Sequence, residues 1–265
     1  MRTSAVHDRC LDHAALLGSW RNTDGSGGVR RLVLTERDGA LRLRVFGAGR
    51  PRPYDWGEIA ADGYATAPTS AAAWAFTAVH DTGQRSMKLF GYTKGGLLAL
   101  TSYHAFNGAG WPPPYWAREF FHRDLEMPAD TATGGPRATG RTTAPLGPWQ
   151  LDPSALVGMW RNVDPAATRL ARVRITERAG YLVVRPHGVW TPRRHDWHET
   201  VGSAYAHDVR TSVAVAFTAF FELSVGRVDM VGYLDRRLLT IETASVFGDG
   251  SGRYPFYVRE HFYPS

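Results

Sequence analysis

Leu17-Gly18-Ser19-Trp20-Arg21-Asn22-Thr23-Asp24 returns later in the chain as Val157-Gly158-Met159-Trp160-Arg161-Asn162-Val163-Asp164. Trp20 and Trp160 stand 140 positions apart, and beyond one extra residue the correspondence continues at 141. Thr35-Glu36-Arg37 falls on Thr176-Glu177-Arg178, Asp55-Trp56 on Asp196-Trp197, Ala75-Phe76-Thr77-Ala78 on Ala216-Phe217-Thr218-Ala219, and Arg118-Glu119 on Arg259-Glu260. So many identities at one offset mark a tandem duplication of a unit of about 110 residues. The copies predict a leader over residues 1–15, a first repeat over 16–125 and a second over 151–265. Residues 126–150 between them are rich in Pro, Gly and Thr, cannot build a core, and read as a linker.

Within a copy the hydrophobic period is two. Leu41, Leu43 and Val45 alternate with Arg42 and Arg44, and Leu98, Leu100, Ser102, His104 and Phe106 share one strand face, as Leu239, Ile241, Thr243, Ser245 and Phe247 do in the second copy. Gly-containing turns such as Asp38-Gly39 and Gly95-Gly96 punctuate these runs, and apart from the leader no long amphipathic helix is predicted. Seven or eight short antiparallel strands per copy suit a closed up-and-down barrel or a sandwich.

Gly18-Ser19-Trp20 with Arg118, and Gly158-Met159-Trp160 with Arg259, resemble the Gly-x-Trp and closing Arg of the calycins, the superfamily of lipocalins, fatty-acid-binding proteins and avidins. The resemblance implies an all-β chain of two tandem calycin-like antiparallel up-and-down β-barrels, with the guanidinium of Arg118 or Arg259 lying over the indole at the barrel base. Gly-x-Trp-x-Asn followed by Thr35-Glu-Arg-Asp-Gly39-Ala-Leu41 looks most like the avidin branch, where the equivalent of Asn22 faces the open end and meets a polar head group. The aromatic arrangement of a biotin site is missing, so biotin is not carried over.

Several function classes drop out on composition. The charge is +6, yet the bases are arginines scattered along the chain, with only Lys88 and Lys94 as lysines, so no nucleic-acid partner is expected. No apolar run is long enough to span a bilayer, and the charged first residues do not form a signal peptide, so a cytoplasmic protein without membrane contact is expected. The single cysteine, Cys10, excludes an intramolecular disulfide. No phosphate-binding Gly loop, nucleophile elbow or dinucleotide fingerprint is present, and no cofactor is expected.

Residues kept in both copies are first candidates for structure, whereas differences between copies are where function can diverge. His104 stands where the second copy has Ser245, on an apolar inward face, either as a satisfied core histidine or as a general base. Asp55 and Asp196 precede Trp56 and Trp197 after proline loops, where each either caps its own turn or presents a carboxylate at a cavity mouth. Asn22 and Asn162 either cap turns or touch ligand, and Trp56, Tyr64, Trp197 and Tyr205 are expected to shape the pocket. His195, His198, Glu199 and His207 resemble a metal site only in composition, because a strand points neighbours to opposite faces, so no metal is expected.

The expected function is capture of a small, largely apolar or aromatic molecule in a barrel. The resemblance extends to two-barrel cyclases of natural-product pathways, which makes a cofactor-independent cyclase or isomerase with His104, Asp55 and Asp196 as polar participants the first reading. A non-catalytic carrier, sensor or sequestering protein is the alternative. A homodimer is compatible with either.

Overall fold

The computed structural model describes residues 10–49, 53–107, 112–125, 133–134, 151–167, 169–188 and 197–265. These residues are all-β and contain no helix. The first repeat supplies β1 (Gly18–Asn22), β2 (Val29–Arg37), β3 (Ala40–Gly47), β4 (Tyr54–Ala65), β5 (Ala73–Asp81), β6 (Arg85–Lys94), β7 (Leu97–Phe106) and β8 (Tyr115–Arg123). A two-residue strand follows, β9 (Thr133–Gly134). The second repeat supplies β10 (Gly158–Asn162), β11 (Leu170–Arg178), β12 (Tyr181–Gly188), β13 (Thr200–Ala206), β14 (Ala214–Leu223), β15 (Gly226–Asp235), β16 (Leu238–Phe247) and β17 (Phe256–Pro264).

Strands β2 to β7 pair antiparallel in sequence order, and β1 bonds to β2 on one side and β8 on the other. The second repeat does the same, with β10 between β11 and β17. Each meander curls until all eight strands feed one core, so the fold is barrel-like. In the first, Trp20, Leu32, Leu43, Phe76, Leu89 and Phe121 are buried together, drawn from β1, β2, β3, β5, β6 and β8. In the second, Trp160, Val173, Val184, Phe217, Met230 and Phe262 play the same parts.

The hairpin turns explain the tight meander. Asp38 and Gly39, with φ of 53° and 74°, and Ala179 and Gly180, with 50° and 80°, form two-residue loops whose positive φ matches strand twist. Register shifts recur at matching places, Val29/Arg31 with Leu170/Arg172 and Tyr64/Ala65 with Tyr205/Ala206.

The segment expected to be a separate leader is part of the first barrel from Leu11 onward. Leu16 is fully buried, its carbonyl accepts from the Trp20 indole at 2.9 Å, and Leu11 packs on the same core. Leu156 and Trp160 repeat this bond at 2.9 Å.

The chain forms two compact units. Unit 1 comprises Met1–Ala109, Ala117–Pro145 and Gly252–Phe256, and unit 2 comprises Gly110–Trp116, Leu146–Ser251 and Tyr257–Ser265. In unit 1, Phe256 pairs in parallel with Ala65, whose N–H donates to the Pro255 carbonyl at 2.9 Å. In unit 2, Tyr115 pairs in parallel with Ala206, whose N–H donates to Pro114 at 2.9 Å, and Trp116 stacks on Tyr233 with centroids 4.7 Å apart.

Candidate site: a guanidinium inside each barrel

The two ends of the first barrel differ. At the end where β1 begins, Leu11, His13 and Leu16 fill the mouth; a Cβ on Gly63 would sit 2.5 Å from the His13 ring, so glycine lets the ring lie on the wall. Arg123 closes this end, its guanidinium 4.7 Å from the Trp20 ring and donating to the Leu17 and Ala15 carbonyls at 2.6 and 2.9 Å. The resemblance had assigned that position to Arg118. Arg118 lies on the opposite wall face, which strand alternation dictates, and donates to the Tyr92 hydroxyl at 2.8 Å. Arg259 likewise donates to Tyr233 at 3.2 Å, and Pro264 stands opposite Trp160, where the first copy has Arg123 opposite Trp20.

At the other end, where β1 finishes and β6 begins, polar groups gather inside an apolar wall. Arg85 donates to His104 Nδ1 at 2.5 Å, and its guanidinium lies 5.1 Å from the Trp56 ring centroid. A guanidinium only donates, so Nδ1 must accept, which places the proton of the neutral ring on Nε2, facing Ser102 Oγ at 2.8 Å. Burial, reinforced by the charge of Arg85, pushes the His104 pKa well below its ordinary value. Both ring nitrogens are therefore engaged. His80 joins the cluster, accepting no charge easily for the same reason of burial, with its Nε2 2.7 Å from the Trp56 carbonyl.

The second barrel reaches the same result from different residues. At Arg85's position stands Gly226, where an added Cβ would fall 2.0 Å from the Val246 carbonyl, so no side chain can enter from β15 there. Instead Arg169, which replaces Gly28 of the first copy, enters from the turn before β11 and donates to Ser245, the residue at His104's position, at 3.0 Å. Its guanidinium lies 5.8 Å from the Trp197 ring, the equivalent of Trp56. Burial lowers the Arg169 pKa to about 10 against the opposing charge of Glu260, so it stays cationic at neutral pH. Trp197 is buried and meets Phe221 edge-on at 5.6 Å. Each barrel thus carries one interior cation facing one indole.

The other expected site residues separate into distinct places. Asn22 donates to the Val29 carbonyl at 2.6 Å and to Glu119 at 2.9 Å, while its Oδ1 accepts from Asp24 N–H at 2.8 Å. Asn162 repeats the pattern with Leu170, Glu260 and Asp164. Both amides fix the turn after the first strand. Burial raises the pKa of Glu119 and Glu260 beside them.

Asp55 accepts from Arg44 Nε at 3.1 Å and from its own turn at Gly57 N–H at 2.9 Å; Arg44 holds its pKa low. It therefore sits on the wall face of Arg44, away from His104, because Arg44 alternates with the core residues Leu43 and Val45. Tyr64 and Tyr205 are buried but off the interior: Ala61 and Ala204 face the cores, so alternation sends each tyrosine to the other face of its strand, toward Thr77 and Thr218 at 3.1 and 3.5 Å. Asp196 and His195 lie outside the described residues. His198 packs its ring against Phe221, and Glu199 pairs with Arg178. Among the described residues no group of three His, Cys, Asp or Glu side chains could hold a metal ion.

Arg85 and Arg169 escaped the sequence reading because neither belongs to a repeated motif. A signal was present nonetheless: overlaying the copies leaves an arginine facing a glycine at two positions in opposite senses, Arg85 against Gly226 and Gly28 against Arg169.

No family model matches the chain, and no curated protein matches it. One similar solved structure is a protein of unknown function from the DUF3598 family of Nostoc punctiforme, 13% identical, covering 100% of both chains with a TM-score of 0.35. No helix among the described residues is long and apolar enough to cross a membrane.

Proposed function

We propose that a barrel of this protein takes up a small, largely apolar or aromatic molecule at the end where the interior guanidinium lies, and carries or sequesters it. The observation that supports this reading is the guanidinium facing an indole inside each apolar wall, Arg85 with Trp56 and Arg169 with Trp197. Sites for small molecules combine apolar walls with a few placed polar groups, and here the cation orients one oxygen of the guest while the indole covers its body. Binding without turnover fits the histidine best, since the His104 lone pair already accepts from Arg85.

A cofactor-independent cyclase or isomerase is the second reading. It is favoured by the same guanidinium, a preorganised donor for an oxygen on which negative charge develops, with Arg85 rather than His104 or Asp55 supplying the stabilisation.

Quenching of tryptophan fluorescence across a panel of apolar compounds tests the proposal, with Trp56→Phe and Trp197→Phe reporting which barrel responds. Quenching that vanishes in one of these variants and weakens in Arg85→Met or Arg169→Met is the expected result. No quenching by any compound overturns both readings, and mass spectrometry of a bound compound distinguishes turnover from carriage.

A further inference from the structure

The fold gathers arginines that are far apart in sequence onto the outer face of one wall in unit 2. Register places Tyr263 opposite Arg161, Arg161 opposite Arg172, and Arg172 opposite His187, a single rung across β17, β10, β11 and β12. The adjacent rung sets Arg174 opposite Met159 on one side and Arg185 on the other. Alternation sends all of these outward, since Trp160, Val173, Val184 and Phe262 between them are core. Arg161, Arg172 and Arg174 are exposed, none has an ion-pair or hydrogen-bond partner among the described residues, and Tyr263 is 39% exposed.

Like charges directly opposite on neighbouring strands repel, so this rung is retained at a cost to the sheet. The first repeat shows the same wall neutralised. There Arg21 donates to Asp124 at 3.0 Å and Arg31 lies over Phe46 at 4.3 Å. In the second repeat Ser265 replaces Asp124, His187 replaces Phe46, and Arg174 replaces Val33. The loss of Asp124 and the gain of Arg174 each raise positive potential on this face, against one loss where Val183 replaces Arg42.

We infer that this outer face of β17, β10, β11 and β12 is a binding surface for single-stranded nucleic acid. Neighbouring guanidinium groups spaced by about 4.8 Å, the distance between strands, follow a phosphate backbone, and Tyr263 at the end of the rung offers a ring for a base to stack on. The outer face of a sheet curled around its core is convex, so a flexible strand follows several rungs where a flat bilayer touches few.

The test measures fluorescence anisotropy of a labelled oligothymidylate of about 16 nucleotides between about 50 mM and about 200 mM salt. The intact protein is expected to bind with affinity falling steeply as salt rises. R161Q/R172Q/R174Q, checked for unchanged thermal unfolding, is expected to lower the slope of log affinity against log salt by about 2, from roughly 0.7 per lost phosphate contact. Tyr263→Ala is expected to lose about tenfold in affinity with the slope unchanged. K94Q/R210Q/R236Q removes the same net charge at exposed positions elsewhere and is expected to bind as the intact protein does. Absence of binding at the lower salt, equal losses in both triple variants, or binding to vesicles of equimolar phosphatidylcholine and phosphatidylserine without binding to the oligonucleotide would each overturn the assignment.

Discussion

At the scale of single residues, His104 ties the interior cation to pH. An unfolded histidine titrates near 6.5, whereas burial and Arg85 oppose protonation in the fold. Below that value the unfolded chain binds the extra proton, so the stability associated with neutral His104 is complete above about pH 6.5 and is lost as pH falls toward the depressed folded value. Lowering pH from about 7.5 to about 5.5 is expected to reduce the urea midpoint, and His104→Gln is expected to shrink that reduction. Glu119, raised by burial, acts in the opposite sense, which is why the comparison between variants is the decisive one. An identical reduction in the variant would remove His104 from the pH response. Trp20 offers a second test. Its ring is buried and its indole N–H is held by Leu16, so Trp20→Ala is expected to cost about 3–5 kcal/mol in chemical denaturation.

At the scale of elements, cross-strand pairs of ring and glycine hold the curvature of both walls. Phe76 stands opposite Gly91 and Phe217 opposite Gly232, and a Cβ on either glycine would lie 2.3 Å from the ring it faces. Gly91→Ala and Gly232→Ala are each expected to lose about 1–3 kcal/mol, read as lower denaturation midpoints, because a ring that covers the glycine backbone must move off it. Strands and turns were legible in the sequence, since alternation at Leu41 to Val45 and the Asp38-Gly39 turn carry local information, whereas the pairing of ring with glycine depends on register between strands. The interior was only half legible. Asp55, Tyr64 and Tyr205 share strands with core residues, and one residue of register decides whether such a side chain faces in or out. Alternation did not reveal Arg85, because an arginine inside a barrel breaks the pattern that makes strands readable, or Arg169, which lies in the turn before β11; only the exchange of arginine and glycine between the copies marks them.

At the scale of the molecule, neither compact unit is made from one uninterrupted stretch. Unit 1 includes Gly252–Phe256 and unit 2 includes Gly110–Trp116. A fragment of residues 1–125 therefore lacks the Pro255 carbonyl and the Phe256 backbone that bond Ala65, and a fragment of residues 151–265 lacks Pro114 and the ring of Trp116 that stacks on Tyr233. Each fragment alone is expected to unfold at lower denaturant than the intact chain, and mixing the two is expected to restore part of the loss, measured by circular dichroism. Fragments as stable alone as together would show that these added segments contribute little.

The late position of residues 252–256 also sets a timetable for synthesis. A ribosome that has released the whole first repeat has not yet made the strand start that bonds Ala65, so the unit begun first is completed almost last. Nascent chains arrested between the repeats are expected to remain open to protease around Ala65, and to become resistant only when the final strand has left the exit tunnel.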